Sequence, residues 1–295
     1  MFYAVDLGGT QLRAAAVSEA GEVLSLLVTP TPAGEGPRAV ADTLCAQVRR
    51  LPGFDTAEAL GVGVPGGVER DGSGLHLCSN LPGMTGYPLK RRLEESLGIP
   101  CTLLNDADAA CLGESLLGSG RGYDSCCYIT VSTGIGGGYC RDGRLLTGAH
   151  GSAAEFGSLS VFTGRPRLGE LPPGACESYL SGTALTSRAR ELTGRPIAHA
   201  GEVFRGAAQD PALGELTRDF VAGMAALLSD LACVLDPGCF VLGGGCMKSR
   251  GFFFGDMIAA YRDFTAQVYR DTPILPAGLP EPGLVGAALA GRRKG

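Results

Sequence analysis

Histidine is scarce in this chain: only His76, His150 and His199 occur, so chemistry built on clustered imidazoles has little material. There are 11 cysteines but no C-x-x-C pair, and no ligand cluster at the short spacing that a zinc site needs. Charged residues make up 19% of the chain and the net charge is −5, so no basic surface points to nucleic acid or to an anionic membrane. No apolar run is long enough to span a bilayer and the sequence does not open on a signal peptide, so a cytoplasmic location is expected.

With 295 residues, 45% of them hydrophobic, the chain can bury a sizeable core and suits two domains or one large one. Cys101, Cys111, Cys140, Cys233 and Cys239 sit inside apolar segments, which reads as buried, reduced thiols of a cytosolic protein.

The stretch from Tyr128 to Ser158 organises the rest. Tyr128 to Val131 reads as a buried strand, and Gly134, Gly136, Gly137 and Gly138 follow at once. Such glycines let a backbone bend sharply and bring several N–H groups to an anion. Tyr139 and Cys140 resume a strand and Asp142-Gly143 is a hairpin turn. The spacing predicts strand, turn and returning strand, not the strand-to-helix setting of a dinucleotide fingerprint. A hairpin without ligand is the plainer alternative.

The chain begins with a strand ending in Asp6-Leu7-Gly8-Gly9-Thr10, then strands over Leu12 to Val17 and Val23 to Thr29. Turn N–H groups and the Thr10 hydroxyl can hold phosphate oxygens, and Asp6 can hold magnesium through its water shell. The alternative is an aspartate serving turn chemistry. Gly36 to Leu51 has helical spacing, Ala59 to Val64 is a strand running into the loop Pro65-Gly66-Gly67-Val68, and Pro88 to Leu97 is a helix. Cys101 to Leu104 is a buried strand that stops at Asn105-Asp106, ahead of a helix over Ala107 to Leu117. Asp106 can be the N-cap of that helix or a general base. Gly118 to Asp124 is the expected passage into a second domain. Phe162 to Gly174 is a long Pro/Gly-rich loop, followed by helices from Ser181, Gly201 and Pro211. A strand over Cys239 to Leu242 ends in Gly243-Gly244-Gly245, helices follow over Phe252 to Phe264 and from Glu281, and strand–turn–strand architecture recurs between the halves.

These motifs, in this order and over essentially the whole chain, resemble the ROK family (repressor, open reading frame, kinase), and within it the sugar kinases. Asp6 to Thr10 looks like the family's first phosphate motif, Thr133 to Gly138 the second, and Gly243-Gly244-Gly245 the adenosine-side turn. Leu104 to Ala107 is similar to the segment with the catalytic aspartate, and Gly148 to Gly157 to the sugar-side half of the signature. The resemblance implies an α/β chain with the actin-like ATPase (ribonuclease H-like) fold, two α/β domains with a cleft between them. Residues 1–117 would form the first, with a C-terminal helix over 282–295 packing back on it, and 118–281 the second. It implies a kinase that uses ATP and magnesium to phosphorylate a hexose, glucose first, at the 6-hydroxyl, with allose, fructose or N-acetylmannosamine as alternatives. Asp106 would be the catalytic base. Gly66, Asn80, Asn105, Asp106, Glu155 and Glu177 would meet the sugar. Asp6, Gly8, Gly9, Thr10, Thr133, Gly134, Gly136, Gly137, Gly244 and Gly245 would meet ATP, with Asp6 holding magnesium through water. A homodimer is the expected assembly.

The sequence departs from the family pattern in places. Ser158 stands where the signature has a histidine that touches sugar and zinc, and of the cysteine-rich zinc loop only Cys176 remains. No structural zinc is therefore expected. Asp108 replaces the usual asparagine, and Gln11 a common lysine. A repressor of this family would need a DNA-binding domain ahead of Asp6, for which the sequence has no room. An inactive sugar-binding homologue would have no chemical reason to keep Asp106, both phosphate turns and Glu155.

Overall fold

Short aliphatic runs punctuated by glycine turns dictate an alternating α/β chain. The computed structural model describes residues 1–292. In chain order the first half contains β1 (Phe2–Leu7), β2 (Gln11–Val17), β3 (Val23–Pro30), α1 (Pro37–Arg49), β4 (Leu60–Val64), β5 (Gly67–Val68), β6 (Leu75–Leu77), α2 (Leu89–Leu97), β7 (Cys101–Asn105) and α3 (Asp106–Leu116). The second half contains β8 (Ser125–Val131), β9 (Ile135–Arg141), β10 (Arg144–Leu145), α4 (Glu177–Leu180), α5 (Gly182–Thr193), α6 (Ala200–Gly206) and α7 (Pro211–Leu235). It closes with β11 (Cys239–Gly243), α8 (Phe254–Phe264), β12 (Ile274–Pro276) and α9 (Pro282–Arg292). The helix expected over 282–295 thus extends beyond the described residues by its last three positions.

The chain forms two compact units. One comprises Met1–Asp124, Gly138–Ala154 and the described residues from Ala277 on; the other comprises Ser125–Gly137 and Glu155–Pro276. The second domain expected over 118–281 does not coincide with the second unit: 118–124, the arm Gly138–Ala154 and 277–281 group with the first. The reason is local: Gly138 lies against Cys111 and Asp108 of α3, where a Cβ would come within 2.6 Å of the Cys111 Cβ.

In the first unit the sheet order is β3-β2-β1-β4-β7, antiparallel from β3 to β1 and parallel from β1 to β7. Alternation along the strands sends Val5, Leu7, Leu12, Ala14 and Val62 into one buried cluster with Leu44 and Val48 of α1 and Leu93 of α2. Ala4, Ala15, Val17 and Leu104 face the other way, into a cluster with Leu284, Val285 and Ala287 of α9. Small residues let α9 come very close: Gly286 sits on the Ala109 carbonyl of α3, and Gly61 of β4 on the Ala287 carbonyl, with no room for a methyl at either position. The far end of α3 is tied down by Glu114, which is 0% exposed. Its carboxylate accepts backbone N–H bonds from Ser119 (2.8 Å), Gly278 (3.0 Å) and Leu279 (2.9 Å). One buried side chain therefore gathers the segment that leaves α3 and the segment that enters α9.

The second sheet repeats the same pattern, β10-β9-β8-β11-β12, with β8, β11 and β12 parallel. In the second unit the long α7 turns Leu216, Phe220, Met224, Leu227, Leu228 and Leu231 inward, the helical face its sequence predicts. Asp142 and Gly143 both take positive φ, 49° and 70°, and make the expected hairpin turn between β9 and β10. Three local expectations change. Gly136, Gly137 and Gly138 belong to strand β9, so the turn itself is only Ser132 to Gly134. Gly67-Val68 is not loop but pairs with β6. Helix α8 starts at Phe254, because Gly245–Phe252 winds as a 3₁₀ helix.

Glu114→Ala should cost about 2 kcal/mol of stability or more, since it strands three part-buried backbone N–H groups at once. Chemical denaturation would show this as a lower midpoint at unchanged slope. A midpoint equal to that of the parent would mean that solvent satisfies those groups.

Candidate active site

In an open sheet, ligands gather at the carboxyl ends of parallel strands. In the first unit those ends belong to β1, β4 and β7, and they bring together residues far apart in sequence. Asp6 lies near the end of β1 and pairs in register with Arg13 of β2. The Arg13 guanidinium is 3.9 Å from the Asp6 carboxylate and bonds the carboxylate of Glu281. The turn after β1 is held from outside: the Thr31 hydroxyl donates to the Gly8 carbonyl (2.7 Å) and the Thr31 N–H to the Thr10 carbonyl (2.9 Å). Gly9 lies under Asn80, whose carbonyl would be 2.9 Å from any Cβ at position 9. β4 runs out into Gly66, at φ 105°.

At the end of β7 the structure corrects the capping alternative. Asn105, not Asp106, is the N-cap of α3: its Oδ1 accepts from the N–H groups of Ala107 (2.9 Å) and Asp108 (3.2 Å). Its Nδ2 donates to the Gly66 carbonyl at 3.1 Å, so both ends of this amide are committed. Asp106 is the first residue within α3, and its Oδ1 accepts from Ala107 N–H at 2.8 Å. The carboxylate is exposed, at the positive end of the helix dipole.

Burial pushes the Asp6 carboxyl up to about 6, and the negative charge of Asp106 adds to the shift. Arg13 pulls it back down, and Glu281 opposes Arg13. The site thus carries more negative charge than its one arginine neutralises.

The second unit repeats the geometry at the ends of β8 and β11. Ser132 and Thr133 are exposed in the turn after β8, and the Ser132 carbonyl accepts from Gly182 N–H at 2.7 Å, which seats the start of α5 on that turn. Gly244, at φ 90°, follows β11 and packs on the Val131 carbonyl and the Thr130 hydroxyl, a place only glycine fits. Between these ends lies a cavity of about 740 Å³. Thr133 and Gly245 line it as expected, together with Thr183, Ser187, Arg190, His199, Arg205 and Lys248, which sequence reading missed. No motif marks these six: they come from three helical segments that only packing brings together.

Other expected contacts have visible duties of their own. Glu177 accepts the Ile135 N–H on Oε2 at 2.7 Å and presses on Gly134, so its carboxylate holds the turn into β9. Gly137 lies beneath the Phe156 ring, with no room for a side chain, which accounts for that glycine through packing. Glu155 is exposed and follows Ala154, a non-glycine residue at φ 63°, a strained backbone that sets the direction of the chain there. The thiol of Cys176 is buried and donates to the Phe156 carbonyl at 3.0 Å, and burial pushes it up to about 12. The Phe162–Gly174 loop is pinned at its base. Phe162 and Tyr179 pack with ring centroids 5.1 Å apart, Arg165 lies over both rings, and the Tyr179 hydroxyl donates to the Pro166 carbonyl.

Two sheets of identical strand order, each with glycine turns at the carboxyl ends of its parallel strands, are those of an actin-like ATPase fold. The chain belongs to the ROK family, whose model matches residues 2–293. The ROK hexokinase from Thermus thermophilus is similar in structure, with a TM-score of 0.88 at 36% identity, covering 98% of this chain and 97% of that one. A ROK family glucokinase from Streptomyces griseus, solved in complex with glucose and AMPPNP, has a TM-score of 0.80 at 29% identity over 99% of each chain. The N-acetylmannosamine kinase of Escherichia coli is 34% identical over 297 residues, 97% of this chain and 96% of that protein.

Because the native state favours protonated Asp6, stability is lost as pH rises from the ordinary value of 3.8 through about 6. Asp6→Asn removes that cost. Near neutral pH this variant should melt above the parent, and the gap should close as pH falls through about 6 towards 4. Thermal unfolding across that range checks it, and a variant less stable than the parent at neutral pH would overturn it.

Proposed function

We propose that the protein is an ATP-dependent kinase that transfers phosphate to the 6-hydroxyl of a hexose, glucose first. One observation carries this reading: the carboxyl ends of β1, β4 and β7 collect a half-buried carboxylate, a glycine turn and an exposed aspartate at a helix start. Phosphoryl transfer asks for positioning, charge neutralisation and a base for the attacking hydroxyl, and little else. The similarity to a ROK hexokinase and to a ROK family glucokinase solved with glucose supports the same reading.

Asp106 takes the proton of the hexose hydroxyl. It stands at the positive end of the α3 dipole, and the rigid end of β7 fixes where it points. Asn105 is occupied by the helix cap and Gly66, so it acts by fixing the loop while its neighbours Gly66, Asn80 and Asp106 meet the sugar. Glu155 and Glu177 are assigned to sugar hydroxyls on the resemblance, Glu177 with the oxygen that its turn bond leaves over. A site that pairs each hydroxyl rejects sugars that lack one.

The nucleotide is assigned to Gly8, Gly9 and Thr10 in the first unit and to Thr133, Gly134, Gly244 and Gly245 in the second, where the cavity takes the nucleoside. Gly137 serves by allowing Phe156 to pack on β9, and Gly136 is assigned to the nucleotide on the resemblance. The surplus negative charge around Asp6 and Asp106 suits a divalent cation. Magnesium held by Asp6 through water would neutralise phosphate charge when bound. The buried, carbonyl-bonded Cys176 is a poor metal ligand, and the pinned Phe162–Gly174 loop has its own support, so we assign no structural zinc. Ten of the eleven cysteines are buried, and we assign the enzyme to the cytoplasm. The homodimer belongs to the same proposal.

Asp106→Asn tests the base. Asn105 keeps the cap, so the variant should fold and melt like the parent and bind ATP, while hexose turnover falls roughly a hundred- to ten-thousandfold. A coupled assay over glucose, allose, fructose, mannose and N-acetylmannosamine measures this, and near-parental turnover would end the assignment. Elemental analysis of protein purified without added metal should find well under one zinc per chain; a stoichiometric zinc that survives mild chelation would overturn the zinc-free reading.

A further inference from the structure

No step above uses His76. It lies in β6, half-buried, with its Nε2 2.9 Å from the Ser152 hydroxyl oxygen. The imidazole covers Gly67, where any side chain would collide with the ring. Its Nδ1 is sealed from solvent and has no hydrogen-bond partner. A proton on Nδ1 would be a buried donor without an acceptor, so the geometry favours a tautomer whose Nε2 proton is donated to Ser152.

The contact joins two pieces of the first unit. One is the β5–β6 hairpin, which follows directly on Gly66, the residue whose carbonyl receives the Asn105 amide. The other is the run Gly148–Ala154, which leads to Glu155. Gly151 of that run lies on the Val68 carbonyl of β5, too close for a methyl. Gly148 and Gly151 take φ of 74° and 70°, and Ala154 takes 63°. A run bent through three left-handed residues keeps one shape only when its surroundings impose it. The His76–Ser152 bond is the side-chain contact that does so from the hairpin.

We propose that His76 is a positioning residue for the acceptor sugar, holding Gly148–Ala154 against the β5–β6 hairpin through Ser152. This rests on the hexose-kinase reading. The imidazole touches neither substrate; it preorganises the loop, so that binding does not have to. Loss of the latch should weaken sugar binding and leave nucleotide binding and the chemical step in place, the pattern of a KM effect without a kcat effect.

The experiment measures steady-state kinetics for hexose and for ATP, and hydrogen exchange without substrates, in the parent and in His76→Phe, Ser152→Ala and His76→Gln. His76→Phe and Ser152→Ala should each raise the hexose KM about tenfold, with kcat and the ATP KM within about twofold of the parent. His76→Gln, whose carboxamide can still reach Ser152, should recover most of the loss. Amides of Gly148–Ala154 should exchange faster in His76→Phe. An unchanged hexose KM in both His76→Phe and Ser152→Ala overturns the proposal, as does a parallel rise in both KM values, which a merely structural role would give. Ser152→Ala removes a single oxygen, so it decides the matter even if the bulkier phenylalanine disturbs the fold. A parent that phosphorylates no hexose defeats the kinase reading itself, whereas parental exchange rates in His76→Phe of an active enzyme defeat the latch alone.

Discussion

The first unit depends on the backbone-to-backbone contact of α9 with α3 and β4. Gly286 meets the Ala109 carbonyl and Gly61 meets the Ala287 carbonyl at distances that tolerate no side chain. Such close approach trades the larger apolar area of bulky residues for a single permitted docking, because sliding α9 by one residue would drive the Ala287 methyl or the Val285 isopropyl group into a carbonyl. Glu114 completes the constraint. By accepting three backbone N–H groups it removes the polar mismatch that the end of α3 and the approach to α9 would otherwise bury. With both ends of α3 fixed, by Asn105 at the start and Glu114 near the close, the helix that presents Asp106 has little freedom.

That rigidity explains why carboxylates can be crowded at the strand ends. Asp6, half-buried, lies close enough to Asp106 to feel its charge, and Arg13 is divided between Asp6 and Glu281. A loose scaffold would relax the repulsion by moving apart. Here strand register and helix docking hold the groups, so the unfavourable charge stays at the strand ends. The second unit uses the same design with the opposite sign: its cavity is lined by Arg190, Arg205 and Lys248, with no carboxylate side chain among the lining residues.

Much of this was legible. Period-two strands, the Asp142-Gly143 turn, the α7 stripe and the strand–turn–strand recurrence all follow from local rules. The candidate strand-end residues were legible as motifs because each is short and contiguous. What sequence reading mistook were duties that neighbours distant in the chain assign. Asn105 and Asp106 are adjacent and both can cap a helix; which one does depends on where β7 stops, and that follows from pairing with β4. Gly134 to Gly138 reads as one glycine turn, yet only Gly134 turns. Gly137 is small because Phe156 lies over it, and Gly138 because Cys111 does.

The sequence by itself determined the α/β class, the recurrence of strand, glycine turn and strand, and the family, because periodicity, turn chemistry and contiguous motifs are local and need no partner to be read. The tertiary structure alone decided which polar atoms are spent on holding the scaffold: Asn105 on its helix, Glu177 on the Ile135 N–H, Glu114 on three amides, and His76 on Ser152. It also decided the cavity wall drawn from α5, α6 and the 3₁₀ turn after β11. The physical reason is that a hydrogen bond across 76 residues, as between His76 and Ser152, leaves no periodic trace in the chain. It exists only once packing has brought both groups to the same place and removed the water that would otherwise satisfy them.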